Sequence, residues 1–248
     1  VPGLCEGPAE IQCCVALPSD GSCDPAAHPL VNATIVEAPG ENGCPPGMLR
    51  IDTFCIDRWE AHLVTFPAGD PVSPYFEPAS PVMARSAQGA VPQGYISQVQ
   101  ATAACANAGK RLCTDSEWLR ACQGPNGTTY PYGDTLMEGV CNDHREQHPV
   151  IEYFMTSEDW IWSELAHPCL NQLDAGLATS GAYAGCESSE GAFDLMGNLH
   201  EWTDNPQGTF RGGFYVDTVL NGSGCLYATT AHDVTHLDYS TGFRCCAD

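Results

Sequence analysis

Basic residues are scarce in this chain. It holds a single lysine, Lys110, and nine basic residues in all, against 31 acidic ones, so 9 − 31 gives a formal net charge of −22 over 248 residues. Binding to a nucleic-acid backbone is excluded, because phosphate contacts need a basic footprint. Adhesion to an anionic membrane surface is excluded on the same ground. No apolar run approaches the roughly 20 residues needed to cross a bilayer. Paired Cys-x-x-Cys motifs of the zinc-ribbon type, a glycine-rich phosphate loop and a Gly-x-Ser-x-Gly elbow are all missing. Charged residues make up only 16% of the chain and hydrophobic ones 43%, which argues for a folded core and against disorder. The acid surplus suits divalent cations, cationic partners or a salty medium, and also a merely solvated anionic surface.

Cysteine, by contrast, is abundant. Fifteen cysteines in loose, loop-associated spacing indicate a disulfide framework in an oxidising compartment. The expected location is secreted, periplasmic or cell-surface, with any leader before Val1 already removed. An odd count leaves at least one thiol free, intermolecular or ligated. Nearness across probable loops suggests the pairs Cys122 with Cys141 and Cys169 with Cys186. Asn32, Asn126 and Asn221 each begin an Asn-x-Ser/Thr triplet, a pattern common by chance.

Residues 1–44 are rich in Pro, Gly and Cys, have no sustained period, and read as an irregular stapled arm. Residues 45–248 form the main domain. Within it, 48–64 alternates as strand, and the proline-rich 67–95 reads as a long surface loop. Ser97 with Gln100 and Thr114 with Glu117 are capping boxes, so helices are expected over 98–108 and 115–123, stopped by Gly109 and by Gly124-Pro125. Trp118 and Leu119 are expected to face the core, and Trp160 and Trp162 to plug it. Short strands return from 191. The fold class is α+β: loop-rich, with a small β-sheet and two short helices.

Four segments in order are together distinctive: IDTFCIDRWEA (51–61), AGKRLCTDSEWLRAC (108–122) with YPYG (130–133), FDLMGNLHEWTD (193–204), and FRGGF (210–214) with TGFRC (241–245). They resemble the formylglycine-generating-enzyme, or sulfatase-modifying-factor, family over about 45–248. The resemblance implies a variant of the C-type lectin fold. It also implies a calcium ion held by the Asp194 side chain, the Gly197 and Leu199 carbonyls and the Glu201 side chain, a hard-oxygen set that suits calcium. The plain alternative is a turn whose acids cap backbone amides. A second family calcium site uses an Asn and the following carbonyl, and Asn142 and Asp143 stand near that place. Residues 150–185 depart from the pattern, so its further ligands cannot be placed.

Enzymes of this family bind copper(I) through Cys-x4-Cys just after Gly-Gly-Ser, and soft thiolates suit that ion. Here Phe214 replaces the serine, and Asp217 and Gly222 occupy the two thiolate positions. A carboxylate is a poor copper(I) ligand. No Cu(I) is expected, and the copper oxidase mechanism is not carried over. Cys225 alone makes no two-thiolate site and is expected to pair with Cys245 or Cys246. His200, which stands where the family usually has Trp, joins Asp217, His232, Asp233 and His236 in segments that surround the family's cleft. With Asp217, His200 and His232 at its centre, such a set suits a divergent metal-dependent oxidase or hydroxylase. A lone histidine in such loops is more often a hydrogen-bonded structural residue, and His232 with His236, four apart, suit a metal only on a helix. The favoured reading is a calcium-stabilised extracellular module without formylglycine-generating activity, binding a protein, peptide or glycan partner or assembling with itself.

Overall fold

A computed structural model describes residues 23–230 and 232–248. The chain runs through β1 (Met48–Ile51), β2 (Phe54–Asp57), β3 (Ala61–Thr65), β4 (Val82–Ser86), α1 (Gln98–Asn107), β5 (Arg111–Leu112), α2 (Asp115–Gln123) and α3 (Pro149–Phe154). It continues with β6 (His200–Trp202), β7 (Phe210–Arg211), β8 (Ala228–Thr229), β9 (Thr241–Phe243) and β10 (Cys245–Ala247). Among the described residues these strands make two four-stranded sheets, β1-β2-β10-β5 and β8-β7-β6-β9, and the hairpin β3-β4. The last strands β9 and β10 are separated only by Arg244, so one residue joins the two larger sheets.

The expected strand 48–64 is three strands. Asp52 sits at φ +48 in the turn between β1 and β2, which pair Met48 with Asp57 through Ile51 with Phe54. Alternation failed as a guide because almost every residue of β1, β2 and β3 is buried. The expected loop 67–95 contains β4, paired with β3 from Ala61–Ser86 to Thr65–Val82. Prolines flank that strand without entering it. Both helices begin at their capping boxes: Ser97 and Thr114 each accept from an N3 amide, and the Gln100 and Glu117 side chains return the bond. Trp118 and Trp202 are fully buried. Leu119 packs at the edge of the Trp118 cluster, and Trp160 is half-buried against the Tyr95–Tyr239 cluster. Trp162 is no core plug: it is 44% exposed.

Six disulfides are formed among the described residues: Cys23–Cys169, Cys44–Cys55, Cys105–Cys245, Cys113–Cys246, Cys122–Cys225 and Cys141–Cys186. The expected pairs Cys122–Cys141 and Cys169–Cys186 are wrong, and Cys225 joins neither Cys245 nor Cys246. Sequence nearness misled, because four of the six bridges span 103 to 146 residues. Cys245 and Cys246 point to opposite faces of β10, as neighbours on a strand must, and staple α1 and the entry to α2 to the C-terminus. Cys5, Cys13 and Cys14, and with them any odd thiol, lie outside the described residues. Residues 23–44 lie against the body. Asn32 is buried and its amide closes two bonds with Val91, Nδ2 to the carbonyl at 2.8 Å and Oδ1 from the amide at 2.9 Å. Glu37 meets Arg85, Lys110 and the Ser86 amide.

Candidate calcium centre and the loop at the copper position

Glu201 lies in β6, 1% exposed, between α2 and the β9–β10 junction. Arg244, fully buried, grips it with Nε on Oε2 at 2.6 Å and Nη2 on Oε1 at 2.5 Å, and the Trp118 indole donates to Oε2 at 2.6 Å. The remaining guanidinium donors reach the carbonyls of Asp57 and Phe193. Each charge-assisted bond is stronger than a neutral one, and none of these groups has water to fall back on. Burial works against the Arg244 charge, yet Glu201 beside it holds its pKa above the ordinary value.

Two more carboxylates share this interior. Glu60, between β2 and β3 and fully buried, accepts from the Leu199 amide at 3.1 Å and from Asn198 Nδ2. Burial, then the charges of Asp194 and Glu201, push its pKa well above the carboxylate range. Asp194, at φ +58 and 4% exposed, accepts from the Gly181 amide at 2.7 Å. Burial raises it to about 6. Three buried carboxyl groups therefore stand around one guanidinium, and their oxygens are of the kind a divalent cation takes. The donor atoms are all hard oxygens, so the residues fit calcium in chemistry. Beside them, Asp143 is 7% exposed; its Oδ1 accepts from Gly139 at 2.9 Å, while its Oδ2 is buried and has no partner. An orphaned carboxylate oxygen of this kind is suited to a cation. Asn142 donates through Nδ2 to the Gly176 carbonyl and to Asn198 Oδ1.

Asp217, at the first copper-ligand position, turns its carboxylate back on its own loop. Its Oδ1 accepts from the amides of Val219 at 2.9 Å and Leu220 at 3.0 Å. Phe214 and Asp217 close the preceding turn with paired backbone bonds of 2.9 and 3.0 Å. Gly213, at φ +72, permits this: a Cβ there would stand 2.3 Å from the Asp217 carbonyl oxygen. The twelve cysteines among the described residues are all in disulfides.

His200, His232, His236 and Asp217 lie near enough together that the other three all bear electrostatically on His200, and Asp217 also bonds Tyr227, which packs on that ring. His200 is 5% exposed and packed against Phe210, Phe214 and Tyr227, with ring centroids 4.5, 4.8 and 5.4 Å away. Its Nδ1 is buried without a partner, and burial lowers its pKa to about 4. His232 stacks on Phe210 and on His236, whose Nε2 meets Asp238 at 3.0 Å. Asp233 caps Thr235. The 232–236 stretch is not helical. Among the described residues no group of three His, Cys, Asp or Glu side chains stands together as a metal cluster.

Glu60, Asn198 and Arg244 were not singled out from sequence. All three lie inside the quoted motifs, and a buried position for a charged or amide side chain inside an otherwise apolar motif was the available signal.

Residues 77–248 match the sulfatase-modifying factor enzyme 1-like domain, and the chain belongs to that family. Its fold is loop-rich α+β, stapled by six disulfides among the described residues. Inactive C-alpha-formylglycine-generating enzyme 2 of Mus musculus is 27% identical over 180 residues, 68% of this chain and 53% of the mouse protein. The chain thus spans about half the length of that relative. Among solved structures, PvdO from Pseudomonas aeruginosa aligns over 79% of this chain and 80% of its own at 11% identity, TM-score 0.48. The Major Tropism Determinant I1 variant aligns over 83% of this chain and 53% of its own at 13% identity, TM-score 0.49. The disulfides place the folded chain in an oxidising compartment. No helix among the described residues is long and apolar enough to cross a membrane.

Proposed function

We propose that this protein is a calcium-stabilised module that generates no formylglycine and acts by binding a basic segment of a protein partner outside the cytosol. The observation that carries the first half is Asp217: the group at the copper-ligand position is a carboxylate that caps its own turn, and no described cysteine is a thiol. The relative named above is itself called inactive.

The second half rests on charge and on aromatic exposure. Eight of the nine Lys and Arg side chains are already paired with carboxylates, and among the described residues Arg50 has no carboxylate partner. The segment 134–174 carries nine carboxylates against the single Arg145, which pairs with Glu152. Trp162 stands exposed in that segment, edge-on to His148 at 5.0 Å, and His148 in turn faces Phe214 at 6.4 Å. Val219 and Leu220, 47% and 83% exposed, follow from the Asp217 turn. An exposed tryptophan in an acidic segment, together with exposed aliphatic side chains, is the complement of a basic segment with apolar anchors.

The test is fluorescence anisotropy with a labelled Arg- and Leu-containing peptide and an acidic peptide of equal length. Binding of the basic peptide alone, weakened by salt and about tenfold or more by Trp162→Ala, supports the reading. Equal binding of both peptides, or none, rejects it. Chelation with EDTA is expected to lower the thermal midpoint, as loss of a native-state ligand must. An unchanged midpoint removes the calcium.

A further inference from the structure

We propose that Asn198 is a positioning residue that joins the two calcium sites, so that filling one tightens the other. The inference rests on the calcium reading above. Asn198 is 2% exposed and sits at φ +55, a conformation asparagine tolerates better than most residues. Its amide donates to the Asn142 carbonyl at 2.8 Å, and its own carbonyl accepts from Tyr215 at 3.2 Å. Its Oδ1 accepts from Asn142 Nδ2 at 2.8 Å and from the Ala178 amide at 2.9 Å. Its Nδ2 donates to the Ala178 carbonyl at 3.2 Å and to Glu60.

These bonds link one site to the other. On one side is Asn142, whose amide nitrogen is committed to Gly176 and Asn198, so its Oδ1 is the atom left to ligate beside Asp143. On the other is Glu60, fixed by Asn198 and by the Leu199 amide within the turn whose Gly197 and Leu199 carbonyls belong to the first set. The two segments also touch directly. A Cβ on Gly197 would stand 2.1 Å from the Asn142 carbonyl oxygen, so no side chain fits between them. A cation in either site holds the amide that the other site needs held, and the outer shell of a metal site is known to set affinity. Coupling of this kind is reciprocal.

Calcium titration calorimetry on the full chain tests it, using wild type, Asp143→Asn, Asn198→Gly and the double variant. Glycine accepts a positive φ, so Asn198→Gly deletes the side-chain bonds and leaves the turn. The expected result is two bound ions in wild type, with Asp143→Asn removing one and weakening the other about fivefold or more. In the Asn198→Gly background the same substitution should leave the remaining affinity unchanged. Two ions in wild type, with the first site indifferent to Asp143→Asn, overturn the linkage and leave the calcium reading standing. No calcium bound by wild type overturns both. Near-UV circular dichroism checks that Asn198→Gly folds; should it not, Asn198→Asp, which keeps Oδ1 towards Asn142 and sets an oxygen against Glu60, replaces it and is expected to weaken the coupling likewise.

Discussion

Arg244 is the residue on which the interior depends. It neutralises Glu201, reaches two backbone carbonyls, and stands between the two larger sheets. Arg244→Ala leaves a buried carboxylate facing Glu60 and Asp194 with no counter-charge. Breaking such a pair from one side costs about 3–5 kcal/mol, to be read as a fall in the urea midpoint with an unchanged slope. His62 sets a pH dependence. It is 1% exposed in β3, its Nδ1 has no partner, and burial lowers its pKa from the usual 6.5 to about 4. The unfolded chain therefore takes up its proton first. Stability is full above pH 6.5 and is lost as pH falls towards 4, by about 3 kcal/mol at most. The difference between wild type and His62→Gln isolates the histidine: the variant should lose less stability between pH 7 and 4. Parallel profiles would show that His62 is not buried neutral. Asp194 and Glu201 were legible in the sequence because, seven residues apart, they bracket the tight turn Gly197-Asn198-Leu199. Glu60 was not, since it meets Asn198 and Leu199 across 138 and 139 residues.

At the scale of elements, the two capped helices were readable in their bounds, whereas strands were placed only by region and α3 was not foreseen. A capping box is a local device, and Ser97 and Thr114 fix their helix starts with partners three residues away. Strands here are two to five residues long, and β1, β2 and β3 are buried on both faces, so that region carries no alternation to read. The same contrast holds for the disulfides. Spacing showed that they exist, while their partners are chosen by sheet pairing between distant segments. Cys122–Cys225 ties α2 to the loop that follows the Asp217 turn and closes a stretch of 103 residues. Replacing both cysteines by alanine is expected to cost about 2–5 kcal/mol. Differential scanning calorimetry reads this, and a midpoint equal to wild type would show that the bridge constrains nothing.

At the scale of the whole molecule, a family scaffold is kept while the loop at the copper position and the stretch 150–185 depart from it. The scaffold explains why four motifs were enough to name the family. Each holds a side chain of the buried interior, from Glu60 in the first to Trp118, Glu201 and Arg244 in the others. The loop is where the chemistry differs, and there the sequence already spoke: Phe214, Asp217 and Gly222 stand in place of a serine and two cysteines. What no local pattern could show is that Asp217 is committed to Val219 and Leu220, or that the acidic segment 134–174 carries an exposed tryptophan.

The most direct test is a mass measurement on a Cys-x-Pro-x-Arg peptide incubated with the purified protein, copper(I) and oxygen. The account predicts that the cysteine is recovered unchanged. Appearance of the aldehyde-bearing formylglycine peptide would contradict it.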